Sequence, residues 1–168
     1  GFASEYGGPM EMEADRTASV VHADSDYCAF LITSYYFTGG VHGTYSTEAV
    51  CFDSQTGERL TLDSMSSDPE AFRLRLVEEM LKLVEEDKDG YYSERLSLME
   101  PGNYATAFAA LLREGSWYPG IDAFYVFSTL YELGPYAAGI TEFAIPYENL
   151  KGILDERWIP RQTEGGGR

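Results

Sequence analysis

Basic residues are scarce in this chain. Only 12 of its 168 residues are Lys or Arg, three of them lysines (Lys82, Lys88, Lys151), against 28 Asp and Glu, for a formal net charge of −16. Neutralising nucleic-acid phosphates takes a basic surface that such a chain cannot assemble, so nucleic-acid binding is excluded as a reading. Histidine is also rare: His22 and His42 are the only two, too few for a His-based zinc site and a poor start for a Ser-His-Asp triad. No apolar run approaches the roughly 20 residues of a membrane span, and the first residues lack the basic-then-apolar order of a signal peptide. The expectation is a water-soluble domain. Because the sequence opens Gly-Phe-Ala rather than with Met, it reads as a piece of a longer chain whose targeting segment or anchor lies elsewhere.

What is present is apolar and aromatic. Hydrophobic residues make up 44% and aromatics 14%, including 13 Tyr, 9 Phe and 2 Trp, which is the composition of a packed core and not of a disordered chain. The length suits one domain. Residues 1–16 mix Gly, Pro, Glu and Met without periodicity, and 160–168 end in Gly165-Gly166-Gly167. Both read as flexible ends around a single domain over 17–159.

The pattern from Asp26 to Phe37, DYCAFLITSYYF, and from Thr44 to Phe52, TYSTEAVCF, predicts a long β-hairpin closed by a glycine-dense tip. Asp53-Ser54-Gln55-Thr56-Gly57 is a turn with glycine where positive φ is wanted, and Glu58 to Leu62 is expected to return as a third antiparallel strand. Asp68-Pro69 starts a long helix over about 69–88, with Phe72, Leu76, Met80 and Leu83 on one stripe and Gly90 as its left-handed end. A second helix is expected over 104–113, capped by Asn103. Strand patterning returns around Trp117, over Ala123–Leu133 and Ile140–Ile145, followed by a short helix over 147–154. The order predicts an α+β domain: an antiparallel β-sheet meander with the long helix and shorter helices packed against it.

Four constellations bear on function. Cys28 and Cys51 would face each other if the hairpin turn centres between Gly39 and Gly40, and they read either as a disulfide or as two packed free thiols. His42 sits in TGGVHG, Thr38 to Gly43, where the tip either presents an imidazole to a partner or turns the chain while the ring bonds across it. Glu85, Asp87, Asp89 and Gly90 imitate the start of a calcium loop, but the position that should hold a bidentate Glu is Leu96, so no metal site is assigned and no cofactor motif is present. Trp117 and Tyr118, with Tyr91 and Tyr92, have the aromatic faces of a glycan platform, against the default of core packing.

Two separated stretches carry a resemblance. Tyr35 to Met65, with its aromatic strand, TGGVHG tip and D-x-x-TG turn, and the run from Trp117 through GPYAAG to the I-P-Y-x-x-L helix, are together similar to one family over about Asp26 to Leu154. The chain resembles the extracytoplasmic domain, of uncharacterised activity, found in RsiV-type anti-sigma factors and beside the catalytic domain of PdaC-type peptidoglycan deacetylases. Val41 stands where Ala is more common in the tip. The resemblance implies a non-catalytic recognition or sensor domain at the bacterial cell envelope, extracytoplasmic or secreted, and in the RsiV-type branch recognition of lysozyme, a cationic protein. The acidic charge suits such a partner. Gly39, Gly40, His42, Gly43 and Tyr136 are the candidate contact or shaping residues. The alternative is a glycan- or peptidoglycan-binding accessory module using Trp117 and Tyr118.

Overall fold

The computed structural model describes residues 12–39 and 41–160. Two three-stranded antiparallel sheets and a set of helices form an α+β domain. The first sheet is a meander of β1 (Glu13–Ala23), β2 (Tyr27–Phe37) and β3 (Thr44–Asp53), in that order. The second is built from β4 (Trp117–Pro119), β5 (Ala123–Phe127) and β6 (Glu142–Pro146). Between them lie α1 (Pro69–Glu85), α2 (Tyr91–Arg95) and α3 (Tyr104–Leu111).

The meander is composed differently from the expectation. Its third strand is supplied by β1, so Glu13 to Arg16, assigned above to a flexible end, are paired with Phe37 to Ser34. Glu58–Leu62 does not return as a strand: it makes a single bridge, Arg59 to Phe52, and runs into a 3-10 turn over Leu62–Met65. The reason is local. Asp53 Oδ1 accepts the amides of Gln55 (2.7 Å) and Thr56 (3.0 Å), Gly57 sits at φ 73°, and Thr61 and Ser64 close a capping box that starts the 3-10 turn at once.

The register of β2 on β3 settles the cysteines. Cys28 pairs with Phe52 and Cys51 with Ala29, one residue off the register that would oppose them. Side chains alternate along a strand, so the two thiols lie on opposite faces of the sheet and both are free, which excludes the disulfide. Cys51 faces the core, where burial pushes its thiol up to about 12.

Helix α1 starts as expected: Asp68 accepts the Ala71 amide at 3.1 Å and Pro69 occupies the first position. It ends at Glu85, three residues short of 88, because Asp87 is engaged further on. Its carboxylate accepts the amides of Tyr92 (2.9 Å) and Ser93 (2.8 Å) and so starts α2, with Gly90 at φ 75° as the residue before α2 and not as the cap of α1. Helix α3 has no side-chain cap at Asn103, which has helical dihedrals as the last residue of a 3-10 turn over Pro101–Asn103. Ala123–Leu133 is strand only to Phe127, and 147–154 is a 3-10 turn over Tyr147–Leu150 with a further turn after it.

The core lies between the second sheet and the helices. Phe124, Val126, Phe143 and Ile145 share one face of that sheet with Trp117 and are buried with Phe72, Leu76 and Met80 of α1 and Phe108 and Leu111 of α3. The sheets meet where the Ala49 amide of β3 donates to Gly115 O at 2.8 Å.

Near the C-terminus, Arg157 clasps the first sheet. Its Nη2 donates to Asp53 Oδ2 at 2.8 Å, its Nε lies 3.8 Å from Asp26 Oδ1, and Trp158 meets Tyr27 edge-on with centroids 6.3 Å apart. The Arg157 guanidinium holds the Asp53 carboxyl below its ordinary value. A depressed carboxyl contributes stability above its unfolded pKa and loses it as pH falls through its folded one. The destabilisation by Arg157→Met is therefore expected to be full at pH 7 and to fade below about pH 4, read from paired melting curves between pH 2 and 7. A gap that does not change with pH would show that the ion pair contributes nothing.

Candidate functional site

The two glycine-rich motifs, far apart in sequence, meet in space. The first follows β2, where pairing stops at Tyr36 with Thr44 and leaves the tip between them, with Gly39 at φ 83°. Gly40 lies outside the described residues. His42 Nδ1 is 3.1 Å from Gly43 O, donating when that nitrogen carries the proton. At Gly43 a Cβ would overlap the ring of Tyr35, so only glycine lets that ring close over the tip.

The second motif is the corner Gly134–Gly139, with a 3-10 turn over Tyr136–Ala138. Tyr136 Oη donates to Gly43 O at 3.0 Å, and its ring stacks on His42 with centroids 4.3 Å apart and planes at 24°. Gly139, at φ 71°, brings the corner against the hydroxyl of Tyr45. A third ring, Tyr131, lies tilted on Tyr136 at 5.5 Å. Tyr131 is the one described non-glycine residue with positive φ, at 64°, and its side chain is exposed. That backbone costs of order 1–3 kcal/mol and persists only where its surroundings fix it. The fixing group is a fork: Arg113 binds both carboxylate oxygens of Glu132, at 2.6 and 2.8 Å, while Glu132 Oε2 accepts the Thr129 amide at 2.7 Å. Burial alone would raise Glu132, but Arg113 and the Thr129 amide outweigh it and hold the carboxyl below its ordinary value.

The structure thus brings Gly39, His42, Gly43 and Tyr136 into one end of the molecule, with the His42 ring laid against Tyr136. Val41, beside His42 in the tip, is fully exposed. Glu13 and Asp15, both exposed, pair in register with Phe37 and Tyr35 and set carboxylates beside the tip. Tyrosine faces next to carboxylates form a surface that suits a lysine or arginine side chain. Tyr131, Arg113 and Glu132 were not singled out from sequence. Tyr131 lies in a stretch patterned as strand, and the Arg113–Glu132 pair joins two loops 19 residues apart, so neither carries a local signal.

Trp117 and Tyr118 do not form a glycan platform. Trp117 is buried and stacks on Phe124 at 5.8 Å, and Tyr118 is buried against Tyr125 at 4.9 Å, because the short β4 places one ring on each face of a covered sheet. Tyr118 Oη donates to Glu142 Oε2 at 3.3 Å, and burial raises the Glu142 carboxyl. Tyr91 and Tyr92 are likewise engaged with Glu142: Tyr91 Oη accepts its amide at 3.1 Å and Tyr92 Oη donates to its carbonyl at 3.3 Å. Among the described residues no group of three or more His, Cys, Asp or Glu is placed to hold a metal ion, and no helix is long and apolar enough to cross a membrane.

Comparison with known proteins adds the fold relationship. No curated protein matches the sequence. A solved DUF3298 family protein from Pseudomonas aeruginosa PAO1 is similar at 22% identity and TM-score 0.64, with 90% of this chain and 66% of that one covered. A DUF3298 member from Bacteroides fragilis NCTC 9343 is similar at 20% identity and TM-score 0.67, with 92% and 58% covered. The chain therefore spans less than two thirds of either structure, and at these identities the likeness is one of fold. Residues 70–148, from α1 through the corner to the end of β6, match the profile of the family described as proteins of unknown function, DUF3298.

Proposed function

We propose that this is a non-catalytic recognition domain of the bacterial cell envelope, extracytoplasmic or secreted, whose contact surface is the joined tip and corner. The observation that carries it is the clamp between two motifs 93 residues apart, Tyr136 Oη to Gly43 O, beside which Val41 and Tyr131 are exposed. Strained backbone held by its surroundings clusters at binding sites, and binding residues lie disproportionately on loops, which supports a contact role for this end. The partner chemistry follows from charge. A protein of net charge −16, with Glu13 and Asp15 in register with Phe37 and Tyr35, attracts a cationic protein over a distance and offers its basic side chains both carboxylates and ring faces. The similarity to RsiV-type and PdaC-type domains supports the envelope setting and makes lysozyme the first partner to try.

Titration calorimetry with lysozyme at low salt is expected to show saturable binding that weakens as salt rises from about 50 to 300 mM, as screened attraction must. Tyr131→Ala and Val41→Asp are each expected to weaken it by about tenfold or more, since central exposed anchors carry most of an interface's energy. No heat and no shift in melting temperature would remove this partner, and binding indifferent to both substitutions would remove this surface.

A further inference from the structure

We propose that the outer edge of β1, from Glu13 to Val20, takes an added strand from another protein: an extended segment with basic residues opposite Glu13 and Asp15 and apolar residues opposite Ala18 and Val20. β1 ends the sheet order β1-β2-β3, and among the described residues no backbone partner lies along its second edge over that stretch. Unpaired amides and carbonyls in a row are a template for one more strand. The bulge between Val20 and His22 ends the regular stretch, and beyond it Ile121 and Pro160 flank the chain.

The two faces of β1 say what would pair there. Ala18 and Val20 lie on the face with Ile32 and Phe30, which, with Val50 and Phe52, stand outside the buried core. Val20 is 61% exposed and Phe30 meets Phe52 edge-on at 6.4 Å, so around Val20 this face is apolar and ends uncovered at the β1 edge. Glu13 and Asp15 lie on the other face, in register with Phe37 and Tyr35.

A second copy of the chain does not complement this edge. When two β1 strands pair about a two-fold axis normal to the sheet, like faces meet, so Glu13 and Asp15 can meet only each other, Thr17 or Ser19 of the copy and never Arg16. Two molecules of charge −16 also repel. The same carboxylates favour a strand with Lys or Arg opposite them. Read antiparallel from Val20 to Glu13, the complement is apolar, polar, apolar, polar, acidic opposite Arg16, basic, polar, basic.

The proposal shares Glu13 and Asp15 with the proposed contact surface but does not require the tip or the corner. The probe is a synthetic peptide, Val-Thr-Val-Thr-Glu-Lys-Thr-Lys, added to the intact chain and followed by amide exchange and chemical shifts. Saturable slowing of exchange confined to β1 amides between Glu13 and Val20 is expected. Replacing both lysines of the peptide by Glu should weaken binding about tenfold, through two cross-strand pairs changed from attraction to repulsion. N-methylation of alternate peptide amides should abolish it. Tyr136→Ala and Val41→Asp should leave it unchanged, whereas Asp15→Lys should weaken it. The proposal is overturned by an absence of protection at about 1 mM peptide, by binding that survives N-methylation, or by a free protein that is already dimeric with β1 amides protected.

Discussion

Phe124→Ala is expected to remove about 3–5 kcal/mol of folding stability, the usual range for deleting a fully buried aromatic. Phe124 has no exposed surface and joins two layers: its ring is stacked on Trp117 with planes at 7° and meets Phe72 of α1 edge-on at 5.6 Å. Removing the ring leaves a cavity bounded by strand residues on one side and α1 on the other, and neither can collapse without breaking the pairing of β5 with both β4 and β6. For a chain of this length the loss corresponds to a fall in melting temperature of about 6–20 °C. Phe124→Leu fills much of the volume and is expected to recover most of it. Denaturant titration of the three proteins decides the matter: an Ala variant within 1 kcal/mol of the parent would mean that the second sheet and α1 are not held together here.

How much of this could be read from the letters depends on the range of the interaction that fixes each element. Pro69 after Asp68 and the stripe of Phe72, Leu76 and Met80 are signals within one element, and α1 starts where they place it. Gly57 was legible because a single residue has to take positive φ in a short turn. The third strand was not, because Glu13–Ala23 and Glu58–Leu62 would extend opposite edges of the hairpin, and nothing within either segment says which edge is extended. Thr61 and Ser64 end the return of Glu58–Leu62 by closing a 3-10 turn, and no alternation of apolar residues marks β1, whose side chains are almost all exposed. The cysteine register failed by a single residue. That is the smallest possible error in a hairpin, and it still turns one thiol to the opposite face.

The candidate site follows the same rule. His42, Gly43 and Tyr136 stood out because glycines cluster around them, but their sequence neighbourhoods contain nothing that says the tip and the corner touch. That contact is made by the Tyr136 hydroxyl and ring reaching Gly43 O and the His42 ring across the fold. Trp117 and Tyr118 misled for the opposite reason. Composition offers aromatic residues without saying which face of a strand is covered, and in β4 both faces are, with Phe124 on one side and Tyr125 on the other.

Gly134→Ala tests whether the corner is placed by packing from beneath, and we expect it to lower stability by about 3 kcal/mol and to release the tip. A Cβ at Gly134 would overlap the carbonyl oxygen of Arg95 and lie 3.1 Å from its carbonyl carbon, and backbone cannot turn aside as a flexible side chain can. Arg95 itself is held. Its guanidinium lies 3.8 Å over the Tyr91 ring, and α2 is tied to β6 through Tyr91 and Tyr92 on either side of the Glu142 backbone. With α2 fixed, the strain is relieved by lifting Gly134–Gly139, which draws Tyr136 away from Gly43 O and from the His42 ring. The melting temperature should fall by about 6–12 °C. The His42 ring protons, now beneath the face of Tyr136, should lose their ring-current shift, and partner binding at the tip should weaken more than in Tyr131→Ala. Gly102→Ala is the control, since nothing lies within 4 Å of a Cβ there and its φ is ordinary. If Gly134→Ala melts with the parent and keeps the His42 shifts, the corner is placed by the tyrosine contact alone.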